Sequence, residues 1–161
     1  VATADIAGRV NLSPKGMDTL KVCDRSRIRW LNLTGSGNET AAHVRATGRM
    51  TLMFCAFEGS PMIIRAYGKA TVIHPRDNTW SSWSADFPNY AGARQIFELN
   101  IDLVQISCGT GVPKMNYVGD RGTSELLPFY EEMGPEGVRD YWGRKNAITI
   151  DSRPTGIIEE P

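Results

Sequence analysis

The chain has 161 residues, 41% hydrophobic and 22% charged, and its 18 basic residues balance 18 acidic ones to a formal net charge of zero. Such a length carries one ordinary domain with a core of its own, and the zero net charge excludes a global field that would draw the chain to nucleic acid or an acidic membrane. Three scattered cysteines, Cys23, Cys55 and Cys108, with no CxxC and only two histidines, exclude a disulfide framework and a zinc site and fit a reducing, cytoplasmic setting.

The opening stretch VATADIAGRV lacks the basic-then-apolar pattern of a signal peptide, and no apolar run approaches the roughly 20 residues that span a bilayer. A soluble chain is therefore expected. Its first residue is valine and starts a strand-like run, which leaves room for an upstream segment. In GRVNLSPKG, alternation around Val10 and Leu12 predicts a strand that ends at the breakers Pro14 and Gly16. RIRWLNL predicts a second strand with Ile28, Trp30 and either Leu31 or Leu33 inward. The loop TGSGNETAAH then leads into a short helix, with Asn38 as N-cap, Glu39 in the first turn and Gly48 as the stop.

RMTLMFCAFEGSPMIIRAYGKATVI reads as a hairpin of two long strands about Glu58-Gly59-Ser60-Pro61. DNTWSSWSADFPNYAGARQIFEL is expected to be helical in two pieces broken at Pro88, with Trp80, Trp83 and Phe87 forming a core-packing stripe. IDLVQISCGTGVP supplies a last strand closed by Gly109, Gly111 and Pro113. Residues 120–161 read as a helical appendage to a single domain spanning 1–161, with two short helices separated by Gly134-Pro135 and an extended AITI. This tail is read as a packing appendage or a partner surface. Five or six strands without βαβ alternation predict a mainly β fold, an antiparallel barrel or rolled sheet with peripheral helices.

The glycine loop invites a phosphate reading. Gly35-Ser36-Gly37 followed by Thr40 falls short of GxGxxG, and there is no GxxxxGK[ST]. What remains is local physics: free N–H groups at a helix N-terminus, hydroxyls on Thr34, Ser36 and Thr40, and glycines that let a phosphate approach. The alternative is a plain strand-to-helix turn capped by Asn38. Elsewhere, His43 and His74 read as structural, Cys108 as a small buried hydrophobe, and Glu131-Glu132 and Glu159-Glu160 as exposed faces. The sequons at Asn32 and Asn38 are expected to stay unmodified without a signal peptide.

GRVNLSPKG, WLNLTGSGNETAAHV, RMTLMFCAFEG, IIRAYGKATVIHP and IDLVQISCGTGVP, in that order, resemble the pyridoxamine 5'-phosphate oxidase-like family over residues 1 to 115. The resemblance is to a branch of uncharacterised members. It implies the FMN-binding split barrel, a homodimer, and one FMN in each of two clefts at the interface. Carried over by position, it sets Ser13, Pro14 and Lys15 along the flavin ring and ribityl chain. Thr34, Gly35, Ser36, Asn38, Glu39 and Thr40 would meet the phosphate, with Arg65 on the hairpin adding positive charge. The chain departs from the oxidase where Glu39 and Thr40 replace an arginine-lysine pair. It departs again where GVPKMNYVGDRG replaces a basic, histidine-containing stretch, so vitamin B6 oxidation is not expected. The resemblance thus points to an FMN-dependent oxidoreductase acting on a small molecule, with no catalytic residue assigned and no metal. The alternative is a non-catalytic binding module whose cleft takes haem, a deazaflavin or nothing.

Overall fold

The computed structural model describes residues 1–158, so the Glu159-Glu160 pair lies outside the described residues. Seven strands form one antiparallel sheet: β1 (Ala2–Thr3), β2 (Asn11–Leu12), β3 (Leu20–Val22), β4 (Arg27–Leu33), β5 (Arg49–Cys55), β6 (Ile63–Ile73) and β7 (Ala93–Ser107). Their order across the sheet is β2-β1-β5-β6-β7-β4-β3. Helices are few: α1 (Glu39–Thr47), α2 (Trp80–Ser84), a π-helical turn (Gly122–Leu126) and α3 (Leu127–Lys145). No helix among the described residues is long and apolar enough to cross a membrane.

The order forces the sheet to roll. The outermost strands β2 and β3 are joined by residues 13–19 alone. A flat seven-stranded sheet would hold its edges roughly 29 Å apart, about the full reach of such a link. The link is not fully extended, because Thr19 Oγ1 donates back to the Gly16 carbonyl at 2.8 Å. The two edges therefore curl toward each other, and residues 13–19 bridge the gap between them as a strap. At β6 the register against β7 shifts between Tyr67 and Gly68, where any side chain on Gly68 would collide with the Asn100 carbonyl.

Apolar residues from β4 to β7 and one face of α1 fill the inside of the roll. Trp30 and Phe97 pair in register across β4 and β7 and stack at 4.8 Å between centroids, surrounded by Ile28, Leu52, Leu99 and Val44. Of the inward residues expected on β4, Ile28, Trp30 and Leu31 are buried and Leu33 is half-buried. Helix α1 starts after Asn38 and ends at Gly48, whose φ of 66° is the left-handed conformation glycine supplies at no steric cost. The long hairpin of β5 and β6 is present as expected, and Gly134 breaks the helical conformation within α3.

Several expectations are corrected. The second helical piece after Pro88 does not exist, because β7 runs from Ala93 and absorbs RQIFEL. That segment reads as helical because its polar residues are buried too: Glu98 pairs with Arg29 at 2.8 Å, and Gln95 accepts from Asn32 at 3.0 Å. With neighbours on both sides, the strand shows no alternation. Trp80, Trp83 and Phe87 are half-buried rather than core, and the Arg29 guanidinium covers the Trp83 ring at 4.0 Å. Val10 and Leu12 are exposed, and β3 was not foreseen. Extended AITI is reduced to a single bridge between Ile148 and Pro154.

Candidate functional site

Two cavities open on either side of the strap and share Ser13, Pro14, Lys15 and Trp30 as walls. The first, of about 570 Å³, is bounded by the strap, the end of β4, the glycine loop and the start of α1. It gathers Ser13, Pro14, Lys15, Thr34, Gly35, Asn38, Glu39 and Thr40 of the expected residues. Ser36 is exposed and off its wall, and Arg65 lies in the second cavity, of about 690 Å³.

The loop is held from beneath. Arg94, only 3% exposed, donates from Nη1 to the Gly35 carbonyl at 3.1 Å and from Nη2 to the Gly37 carbonyl at 2.9 Å. Asn146, wholly buried, donates from Nδ2 to the Gly35 and Ser36 carbonyls at 2.8 and 3.3 Å. Across a planar trans peptide the carbonyl of one residue and the N–H of the next point in opposite directions. Capturing the carbonyls of residues 35, 36 and 37 therefore turns the N–H groups of Ser36, Gly37 and Asn38 away from these donors. None of the three has an acceptor among the described residues. Together with the N-terminus of α1 they form a ready-made anion cradle.

The charges favour an anion. Arg94 has no carboxylate partner among the described residues, its Nε is unpartnered, and burial pushes its pKa down to about 10, so it stays cationic at neutral pH. A buried, uncompensated cation is costly and calls for a counter-charge. Much of Lys15 is exposed, yet its ammonium lies over the Trp30 ring at 4.9 Å. Burial and then the nearby Arg94 charge lower its pKa to about 8.

Individual side chains depart from expectation. The Thr34 hydroxyl donates to the Gly92 carbonyl at 2.7 Å and accepts from Trp142 Nε1 at 2.8 Å, so its single proton is already committed. Thr40 Oγ1 accepts from Asn11 Nδ2 at 3.0 Å and keeps its own proton. Asn38 precedes α1 but makes no side-chain capping bond, donating instead from Nδ2 to the Asn146 carbonyl at 3.1 Å. The Glu39 carboxylate folds back toward Gly37 and accepts from the Ile150 N–H at 3.4 Å, so the C-terminal segment draws part of its charge away from the cradle.

His43 is buried and pairs through Nδ1 with Thr3 Oγ1 at 3.1 Å, and neither His43 nor His74 lines either cavity. Cys108 is exposed rather than buried and also stands apart from both cavities. The sequon residues Asn32 and Asn38 are buried. Sequence reasoning missed Arg94, which sat inside a supposed helix, and Asn146, whose only signal was its place at a helix end.

The family described as pyridoxamine 5'-phosphate oxidase matches residues 1–108, the strap, the loop, Arg94 and both cavity floors included. This chain belongs to that family. Its rolled, unclosed sheet is the split barrel. The pyridoxamine 5'-phosphate oxidase family protein ustO of Aspergillus flavus is 37% identical over 135 residues, covering 81% of this chain and 54% of that protein. The chain thus spans about half the length of that curated relative. HupZ of Group A Streptococcus and a point variant of it share the fold, each with a TM-score of 0.52, at 14% and 16% identity. They cover 71% and 66% of this chain, and 86% of each of theirs is matched. Asn146 and Trp142, which hold the loop, lie beyond the residues that define the family match.

Proposed function

We propose that this chain is a homodimeric FMN-dependent oxidoreductase of the cytoplasm, acting on a small molecule and lacking the vitamin B6 activity that names its family. The observation that carries this reading is Arg94, a buried cation without a carboxylate partner among the described residues, beneath a loop whose N–H groups are free. That is the chemistry a phosphate monoester requires. The cradle would hold the FMN phosphate, with the Thr40 hydroxyl and Lys15 adding a donor and a charge. The strap and the Trp30 ring would flank the flavin and shield it from water. Bound flavin supplies hydride and electron transfer; the protein supplies orientation and charge.

An apolar strip supports the dimer. Phe54, Ile64 and Ile106 are aligned in register across β5, β6 and β7, and Phe54 and Ile106 are exposed. The three free cysteines fit a reducing compartment.

Purified protein is expected to show flavin absorbance bands, or to acquire them with added FMN, and to release FMN on denaturation. Colourless protein that ignores FMN would overturn the reading in favour of a binding module for haem, a deazaflavin or no cofactor. Light scattering should give a dimer at micromolar concentration; a monomer with a complete FMN site would refute the two-fold assembly.

A further inference from the structure

We propose that the second cavity, on the far side of the strap from the phosphate cradle, binds a small, largely apolar carboxylic acid through Arg65. Calling that acid the substrate rests on the flavin reading; the binding itself does not.

The cavity measures about 690 Å³, within the range of small-molecule sites, and its walls are mostly apolar, with Leu12, Leu20, Trp30, Met53, Phe54 and Phe57 among them. Among the described residues its only charged side chains are Lys15 and Arg65, with no aspartate or glutamate lining it. The first cavity differs, since Glu39 and Asp120 are among its lining residues. Arg65 sits mid-strand on β6, flanked in register by the uncharged Met53 of β5 and Gln105 of β7. It is half-buried, and Nη1 donates to Ser107 Oγ at 2.9 Å.

A guanidinium carries five N–H donors, and Arg65 has no carboxylate partner among the described residues. Other arginines do find partners: Arg27 pairs with Asp24, Arg29 with Glu98 and Asp86, and Arg153 with Asp5. Arg65 shares this lack with Arg94, but Arg94 spends two donors on the loop carbonyls whereas Arg65 spends one on Ser107 and lines an apolar cavity. A cation facing apolar walls attracts an anion far more strongly than one in water, and the planar fork of arginine matches a carboxylate with two parallel bonds. The walls select the rest of the molecule, since a hydrophilic anion would leave them wet.

The test uses the full chain as purified, with 2-naphthoate and its neutral analogue 2-naphthamide as calorimetric probes. The acid should bind at least about tenfold more tightly than the amide, as a charge-assisted contact in apolar surroundings predicts. Arg65→Met should erase that preference while the circular dichroism and melting temperature stay those of the parent. Arg65→Lys should keep part of it, and Met53→Trp, which fills the cavity, should weaken both probes. Equal affinity for acid and amide, a preference that survives Arg65→Met, or no binding of either probe would overturn the proposal. So would one-for-one displacement of naphthoate by riboflavin 5'-phosphate. If no flavin binds but the acid preference follows Arg65, the flavin reading falls and this inference stands.

Discussion

The two cavities share a wall but are built by different means. Around the glycine loop the polar groups are fixed by hydrogen bonds from distant parts of the chain: Arg94 on β7, Asn146 after α3 and Trp142 within it. Around Arg65 the walls are side chains of the strap and of β2 to β6, and Arg65 itself donates one bond to Ser107. The first cavity places backbone dipoles; the second places apolar surface and a charge. A site of the first kind should fail when a remote hydrogen bond is removed, whereas the second should fail only when its own lining changes.

The largest effect expected in the loop cavity tests that difference directly. Asn146→Ala strips the Gly35 and Ser36 carbonyls of a buried donor, so FMN affinity should drop about 10- to 100-fold. Riboflavin, which lacks the phosphate, and 2-naphthoate should bind as before. Fluorescence titration of the three ligands decides it; equal loss of FMN and riboflavin would mean that Asn146 is only structural.

Lys15 belongs to both cavities, so its charge should be felt in each. With its pKa lowered to about 8, Lys15 is mostly protonated at pH 7 and mostly neutral at pH 9. FMN affinity should therefore weaken by about tenfold as pH rises across that window, while Arg94 keeps its charge. The folded pKa lies below the ordinary lysine value of 10.5, so between the two the unfolded chain binds more protons. The Lys15 contribution to folding stability consequently rises with pH over that interval. Lys15→Met should flatten the binding profile, and a parent-like pH dependence in the variant would assign the titration elsewhere.

A smaller contrast lies within the loop. Thr40→Ala should cost FMN about 2- to 10-fold, one neutral hydrogen bond, whereas Ser36→Ala should change it less than about twofold because Ser36 contributes its backbone and not its hydroxyl. A large Ser36→Ala effect would show that its side chain turns inward on binding. Smallest of all, Glu39→Gln should tighten FMN by about threefold, since it removes a carboxylate from the rim of the cradle. Weaker binding would mean that the carboxylate holds the loop through Ile150.

What the sequence by itself determined is local. The β5–β6 hairpin and α1, with Gly48 as its stop, follow from short-range periodicity and turn chemistry, and most of the strap and loop residues singled out in contiguous stretches line one cavity. The tertiary structure alone decided the rest. RQIFEL became the start of β7 because long-range pairing with β4 and β6 outweighs a weak helical pattern once Glu98 and Gln95 find buried partners. The Thr34 hydroxyl was committed inward by Gly92 and Trp142, and Arg65 was set in a different cavity from the glycine loop. Arg94 and Asn146 reach one loop from 57 to 111 residues away along the chain. No local pattern marks such pairs, because a hydrogen bond needs only donor and acceptor within reach, and only the rolled sheet and the returning C-terminal segment bring them there.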